Sequence, residues 1–173
     1  MRFFSKFFFF ALFIGALSFT GCGEDEETID PDAIIGTWSM IDFTATGTIT
    51  TTDGNGTSVS DVEAEGSEYD YRVTFSDDKT YTSEGQYTLT TRTTTDGQTE
   101  TEVDEMAATL DSGTWEIDGD IITFTDTSGE AESSKILRLR GSNFEIESSG
   151  IVEFEFFGIQ ISTDLTNNVV FEK

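Results

Sequence analysis

The sequence predicts an all-β domain, an antiparallel up-and-down barrel of about eight to ten strands. Residues 69–75 alternate between apolar and polar side chains, which is the period of a half-buried strand. Turn signals made of Asp, Gly and Asn recur roughly every 8–15 residues after residue 43. No helical segments of the βαβ type separate these strands, so neighbouring strands are expected to pair antiparallel. Closure into a barrel is favoured over a sandwich because it joins the first strand to the last and removes both edges.

One hairpin is predicted in detail. A three-residue loop within the turn Ser76-Asp77-Asp78-Lys79 would place Phe75 opposite Tyr81 and put both apolar rows on one face. The candidates for lining a ligand cavity are the apolar side chains of these rows: Tyr69, Tyr71, Val73, Phe75, Tyr81 and Tyr87. The same residues suit a filled core, which is the more common arrangement in small barrels. Small residues at the inward positions 83 and 85 leave room for a cavity.

Further strands are expected along the rest of the chain. They are predicted near residues 43–52, 57–63, 114–117, 121–126, 135–140, 143–148, 151–157 and 168–172. The segment 104–111, around Met106, is where a helical turn could form. The Thr-rich pair 88–101 is polar on both faces, so we expect it to project beyond the barrel rim. It would serve there as a partner-binding surface or as a solvated ribbon without a partner.

Residues 1–21 predict an export signal that is cleaved. Arg2 and Lys6 precede or flank the apolar run 7–17, which is shorter than the roughly 20 residues that a membrane-spanning helix needs. The following Ser18-Phe19-Thr20-Gly21-Cys22 resembles the lipobox of bacterial lipoproteins, with Phe19 where Leu is usual. The resemblance implies lipid attachment at Cys22, the chain's one cysteine. The alternative is an incidental thiol behind an ordinary signal peptide.

Residues 22–33 predict an acidic flexible tether. The four acids at 24–27 repel each other and remain solvated. Their position resembles the acidic export signal of surface-displayed lipoproteins from Bacteroidetes-type bacteria, while an acidic linker without a routing role remains the alternative. We therefore expect an outer-membrane lipoprotein held by a multi-chain lipid, at the cell surface or facing the periplasm. The remaining residues, 34–173, suit one domain.

The start of this domain carries a family resemblance. Ile34-Ile35-Gly36-Thr37-Trp38 is similar to the Gly-x-Trp opening of lipocalins and of lipocalin-like domains on bacterial lipoproteins. The resemblance implies an eight-stranded barrel over residues 34–173, with its base plugged by Trp38 and with Gly36 allowing close chain passage. It also implies that a cation from a late strand covers Trp38, and Arg138 and Arg140 are the candidates. A second Gly-Thr-Trp, at 113–115, is a candidate trace of an internal duplication of the sequence.

Composition excludes several classes of function. The 173 residues include 9 Lys and Arg against 34 Asp and Glu, a net charge of −25, with no His and one Cys. Such acidity opposes nucleic-acid binding and polybasic attachment to membranes. The lack of His removes His-based catalysis and His-ligated metals, and one Cys forms no internal disulfide. No cofactor and no transition metal are expected.

Two carboxylate chemistries remain to be considered. A hydrolase needs only two acids at a suitable separation, but Glu153 and Glu155 alternate with phenylalanines and are expected on a solvated face. Enzyme activity is therefore not expected. Calcium is the more plausible ion for oxygen ligands, and Asp53-Gly54-Asn55-Gly56 and Asp118-Gly119-Asp120 are either its sites or ordinary turns.

These observations lead to one functional prediction and one alternative. The prediction is a lipid-anchored extracytoplasmic binding module that holds a small apolar or glycan ligand in the barrel. The alternative is a structural or accessory subunit that contacts a protein partner in an outer-membrane or cell-surface assembly.

Overall fold

The computed structural model describes residues 29–54, 56–107, 112–156 and 158–173. The predicted signal peptide, Cys22 and most of the tether lie outside these residues. Within them a short 3-10 helix, Pro31–Ile34, is followed by nine strands. The strands are β1 (Gly36–Asp53), β2 (Gly56–Phe75), β3 (Thr80–Thr95), β4 (Gln98–Ala107), β5 (Ser112–Asp118), β6 (Ile121–Asp126), β7 (Ala131–Arg140), β8 (Asn143–Phe156) and β9 (Ile159–Glu172). In the described part of the chain, no helix has the length and apolar character needed to cross a membrane.

All nine strands form one antiparallel sheet that closes on itself. The strand order is β2-β1-β9-β8-β7-β6-β5-β3-β4, and β2 also pairs with β3 to close the ring. β4 pairs with residues 86–95 of β3, and β5 pairs with residues 80–82 along the same edge. β4 and β5 therefore share one position, and the ring has eight positions. The predicted all-β up-and-down barrel is confirmed.

Unequal strand lengths divide the barrel into two halves. β5 and β6 have 7 and 6 residues, whereas β1 and β2 have 18 and 20. The short strands complete the ring at one end only, which we call the lower barrel. Beyond it six strands continue as the upper sheet, in the order β4-β3-β2-β1-β9-β8. Residues 148–156 form the upper segment of β8.

The hydrophobic core fills the lower barrel. Phe75 pairs with Tyr81 across the β2–β3 turn, so the predicted hairpin register is confirmed. The buried side chains of the cluster come from every part of the ring: Ile34, Trp38, Met40, Tyr71, Val73, Phe75, Tyr81, Tyr87, Trp115, Ile122, Phe124, Ile136, Phe144, Ile146 and Phe171. Because these residues alternate with exposed ones, the inner face of each strand can be followed upward from the core.

Several predicted segments are longer or differently paired in the structure. The strands expected at 57–63 and 69–75 are both part of β2, whose pairing with β3 shifts register between Ser67 and Asp70. Residues 104–107 are extended and pair with β3, so the expected helical turn is wrong for them, and 108–111 lie outside the described residues. The Thr-rich pair 88–101 lies beyond the complete ring, and there it is part of the larger upper sheet, because residues 60–67 of β2 pair with β3 on its other side.

The register shift in β2 requires a glycine on the opposite strand. Gly85 pairs with Tyr71, next to the shift, and has a φ of +93°. A Cβ atom at this position would overlap the carbonyl oxygen of Asp70. Glycine therefore allows the two backbones to approach closely where the bulged strand bends.

Candidate functional site

The base of the lower barrel is closed by a tryptophan. Trp38 is fully buried, and its Nε1 donates a hydrogen bond to the carbonyl oxygen of Ile34 at 2.6 Å. The Nζ atom of Lys173 lies 4.8 Å from the centroid of the indole ring and donates to the carbonyl oxygen of Ile35 at 2.6 Å. Lys173 follows the end of β9, and its side chain contacts the residues that precede β1. It therefore connects the last strand of the barrel to the first at the base.

Lys173 thus supplies a cation over Trp38, and the sequence-based prediction, which named Arg138 and Arg140, did not include it. Both arginines are exposed and flank Leu139, whose side chain packs against the core. Strand alternation places them on the outer face of β7. Lys173 reaches the ring because β9 pairs with β1 at Ser39 and Glu172, a contact that local sequence patterns do not contain.

The second Gly-Thr-Trp repeats this arrangement. Trp115 is buried, and its Nε1 donates to the carbonyl oxygen of Thr80 at 3.1 Å. Lys79 Nζ lies 3.9 Å from the centroid of its ring. Each tryptophan thus has a backbone hydrogen bond and a covering lysine, while common descent of the two tripeptides stays a prediction.

The candidate lining residues fill the core of the lower barrel. Tyr71, Val73, Phe75, Tyr81 and Tyr87 are at most 5% exposed. The Phe75 ring lies 5.9 to 6.1 Å from three other aromatic rings, those of Trp115, Phe124 and Phe144. The hydroxyl at inward position 83 is buried among them and has no hydrogen-bond partner within the described residues. Of the two roles considered, these residues have that of packed core.

Tyr69, the sixth candidate, belongs to an aromatic layer at the top of the core. Its hydroxyl accepts a hydrogen bond from the backbone N–H of Phe43 at 3.0 Å. The Tyr87 ring lies 5.6 Å from Phe43 and 6.3 Å from Tyr69. Burial raises the pKa of both tyrosines, and the charges of Asp42 and Glu65 raise that of Tyr69 further, partly offset by the Phe43 hydrogen bond. This neutral layer separates the filled lower barrel from the upper sheet.

Above the aromatic layer, the inner face of the sheet carries apolar side chains interspersed with polar ones, and the apolar side chains nearest the upper end are exposed. The inner row of β8 continues from Phe144 to Phe154, and that of β9 continues from Phe171 to Ile159. Phe154 is 46% exposed and Ile159 is 36% exposed. We call the following set the apolar inner row: Ile49, Val152, Phe154, Ile159, Ile161 and Leu165.

The same inner face is acidic on β4. Glu100, Glu102 and Asp104 pair with Thr93, Thr91 and Leu89 of β3, which follow Tyr87 on the inner face. All three acids are exposed. The upper sheet therefore presents the apolar inner row, with polar residues between its members, on β8, β9 and β1, and a negative charge at its other edge.

The candidate calcium-binding turns and the candidate catalytic glutamates lie at the protein surface. Asp53 accepts a hydrogen bond from the Gly56 N–H at 3.1 Å, as expected for a turn, beside a shallow open depression at the β1–β2 hairpin. Within the described ranges, no three Asp, Glu or Cys residues are grouped closely enough to hold a metal ion. Glu153 and Glu155 are exposed, and no Asp or Glu is buried in the described part of the chain. The enclosed carboxylate pair of a hydrolase is thus not observed there.

Comparison with known proteins identifies the family. The model of the lipocalin-like domain matches residues 34–146, which is more than half of the chain and ends within β8. Comparisons with curated proteins and with solved structures returned no match. The matched range includes the Gly-x-Trp base, and the ring of eight strand positions agrees with the fold that the motif implies. The chain belongs to the family of lipocalin-like domains.

Proposed function

We propose that this protein is an extracytoplasmic binding module that holds a small apolar ligand against the inner face of the upper sheet. The observation that supports it best is the apolar inner row. Its side chains continue the face that is buried in the lower barrel, yet Phe154 and Ile159 are substantially exposed. A ligand that covered this row would gain roughly 25 cal/mol for each Å² of apolar surface removed from water.

The lower barrel is less suitable as the binding site. The tyrosines and Phe75 that would line a central cavity are packed against one another. The layer of Phe43, Tyr69 and Tyr87 would instead act as the floor of an open site. A ligand would therefore enter from the upper end and rest on this layer.

The side chains favour an apolar ligand over a glycan. Sugar rings are usually held by exposed aromatic faces together with polar side chains. Five of the six residues in the apolar inner row are aliphatic, and Tyr71, Tyr81 and Tyr87 are buried in the core.

Charge restricts the ligand further. Glu100, Glu102 and Asp104 lie on the same inner face, and the chain carries a net charge of −25. A carboxylate or phosphate headgroup would be repelled by this field. We therefore expect neutral or cationic apolar molecules to bind better than fatty acids.

A fluorescence titration tests this proposal. The neutral probe N-phenyl-1-naphthylamine is added to the full-length protein, and dodecylamine and dodecanoate then compete for it. We expect the probe to bind and dodecylamine to displace it at a concentration at least about tenfold lower than dodecanoate, which corresponds to about 1.4 kcal/mol. Stronger displacement by dodecanoate would contradict the proposed charge preference.

Variants locate the site. Ile161→Asn with Leu165→Asn removes apolar surface from the inner row, and we expect at least about a tenfold loss of probe affinity. Val59→Asn is the matched control, because Val59 is an exposed apolar residue on the outer face of β2. If the control variant loses as much affinity as the inner-face variant, the ligand does not bind at this face.

The proposed location rests on the N-terminal residues. Arg2, Lys6, the apolar run and Cys22 together support export and lipid attachment, and the acids at 24–27 support display at the cell surface. Cys22→Ser is expected to release the protein from the membrane fraction and to change its processing. Unchanged membrane association and processing would contradict lipidation at Cys22.

An accessory role in a surface assembly is a second candidate function. It is favoured by one observation, the strand edge along residues 148–156 of β8, which has no partner strand in the described part of the chain.

A further inference from the structure

We infer that the upper segment of β8, residues 148–156, binds a partner peptide by strand addition, and that this peptide alternates Lys or Arg with apolar residues. The inference rests on the accessory candidate function and is independent of ligand capture on the inner face. The segment also lies beyond residue 146, where the match to the lipocalin-like family ends.

The first argument is the hydrogen-bonding capacity of the edge. β7 pairs with β8 only from Asn143 to Glu147, whereas β9 pairs with β8 as far as Phe156. Along residues 148–156 every second residue therefore directs its N–H and C=O away from β9, with no described strand to receive them. An added strand would satisfy these groups and extend the upper sheet by one position.

The second argument is that this edge has little of the usual protection against pairing. Residues 148–156 contain no Pro and no Lys, and the β8–β9 register runs without a shift from Asn143 to Phe156. Ile151 is 66% exposed and Phe154 is 46% exposed. Proteins usually protect an edge strand with charges, prolines or bulges. The charges of this segment, Glu153 and Glu155, lie on the outer face only, so the inner face of this regular edge is available for pairing.

The other edge of the upper sheet provides the contrast. β4 carries four acids in ten residues, and they lie on both faces: Glu100, Glu102, Asp104 and Glu105. Acids on both faces of an edge repel most strands that approach it. The two acids of the upper β8 segment lie on one face only, so the other face remains free for apolar contact.

The third argument gives the chemistry of the partner. Glu153 and Glu155 are exposed on the outer face, and their neighbours on β9 are the uncharged Ser162 and Gln160. Within the described ranges neither carboxylate has a Lys or Arg at ion-pair distance. A strand on the free side would place its own side chains directly opposite them, where opposite charges stabilise the pairing.

The inner face of the same segment selects apolar residues. Val152 and Phe154 point inward, beside the inner residues of β9. Since side chains alternate along a strand, a partner strand with cations on the outer face would have apolar residues on the inner face. The recognised pattern is therefore strict alternation of Lys or Arg with apolar residues.

A second copy of this chain is a less favourable occupant. Each chain carries a net charge of −25, and symmetric pairing of two β8 edges would bring four glutamates into one small region. Repulsion between like charges opposes such a dimer.

Peptide binding to the full-length protein tests the inference. Three short labelled peptides are compared at about 0.15 M salt, where long-range attraction is screened. The first alternates Val and Lys, the second alternates Val and Glu, and the third has the composition of the first with its lysines in one block. We expect the alternating Val–Lys peptide to bind at least about tenfold more tightly than both others. Hydrogen exchange should show new amide protection at residues 148–156.

Charge reversal provides the matched control. Glu153→Lys with Glu155→Lys is expected to invert the preference in favour of the Val–Glu peptide. Glu100→Lys with Glu102→Lys changes the net charge by the same amount, but on the β4 edge. We expect this variant to keep the preference for the Val–Lys peptide. All four positions are exposed, and a thermal unfolding curve checks that each variant is folded.

Three results would overturn the inference. They are an equal loss of Val–Lys binding in both double variants, amide protection on β4 instead of β8, and a dimer in sedimentation that buries residues 148–156. Titration with N-phenyl-1-naphthylamine on the same samples keeps the two proposals distinguishable. Loss of peptide binding with intact probe binding would reject strand addition and leave ligand capture standing, and the reverse result would reject ligand capture alone.

Discussion

The lower barrel and the upper sheet are built from the same strands but differ in burial. The inner residues Phe144 of β8 and Phe171 of β9 are buried in the lower barrel, whereas Phe154 and Ile159 on the same faces are exposed above it. The difference follows from β5, β6 and β7, which complete the ring only at the lower end. Along β8 and β9, ring closure rather than residue type therefore separates buried from exposed phenylalanine and isoleucine side chains.

The largest expected effect separates these two regions directly. Phe144→Ala should lower the free energy of unfolding by about 3–5 kcal/mol, because its ring packs 5.5 Å from both Trp38 and Phe171. Phe154→Ala, the same substitution in the upper sheet, should cost less than about 1 kcal/mol. Urea unfolding followed by tryptophan fluorescence measures both. Similar losses for the two variants would mean that the upper sheet is buried in solution.

Replacement of a glycine at the boundary between the lower barrel and the upper sheet should have the next largest effect on stability. Gly85→Ala forces a Cβ against the Asp70 carbonyl at a φ of +93°, and we expect a loss of more than about 2 kcal/mol. Gly150→Ala in the upper segment of β8 is the control, since a Cβ there meets no neighbour within 4 Å. Unfolding midpoints of the two variants give the comparison. A tolerated Gly85→Ala would show that the strands near the boundary can separate.

The lysines over the two tryptophans should have a smaller effect. Lys173→Ala and Lys79→Ala are each expected to cost about 1 kcal/mol, because both ammonium groups are near the barrel surface. Tryptophan emission should change in both variants, since the indole rings lose their cover. Arg138→Ala should leave emission and stability unchanged. A change of tryptophan emission in Arg138→Ala would indicate that Arg138 contacts the Trp38 ring.

The smallest effect concerns a turn at the upper end of β6. Asp126 accepts hydrogen bonds from Ser128 and from the Glu130 N–H, and these hold its pKa below the ordinary value of 3.8. Its contribution to stability is therefore fully present above that value and is lost as pH falls through the lower folded-state pKa. Asp126→Asn should have a lower Tm than the parent protein at pH 7, with the difference shrinking below pH 3.8. A difference that persists in acid would exclude the charge as its cause.

Local patterns in the sequence were sufficient where the relevant contacts are local. The alternation of 69–75 predicted the Phe75–Tyr81 register, and Gly36-Thr37-Trp38 indicated the lipocalin-like barrel. Lys173 was missed because its approach to Trp38 depends on the pairing of β9 with β1. The sequence also did not predict whether the barrel interior is filled or hollow. Side chains alternate along the strands in the same way in a filled and in a hollow barrel, and the difference depends on how the strands close the ring.

The upper half of the candidate site was missed for a similar reason. Residues 159–167 mix polar and apolar side chains, so only 168–172 were predicted as the last strand. The inner row of β9 becomes recognisable once its continuous pairing with β8 is known. The edge along residues 148–156 likewise depends on where β7 stops, which is a property of the neighbouring strand and not of the segment itself.

The position of the helix Pro31–Ile34 determines at which end of the barrel the N-terminal residues are attached. Ile34 is buried in the lower barrel, and β1 then runs through 18 residues, roughly 60 Å of strand, to the far end of the upper sheet. Whatever precedes residue 29 therefore joins the domain at its closed end. A lipid at Cys22, as proposed above, would be attached on the side of the plugged base, and the apolar inner row and the β8 edge would lie toward the opposite end of the domain.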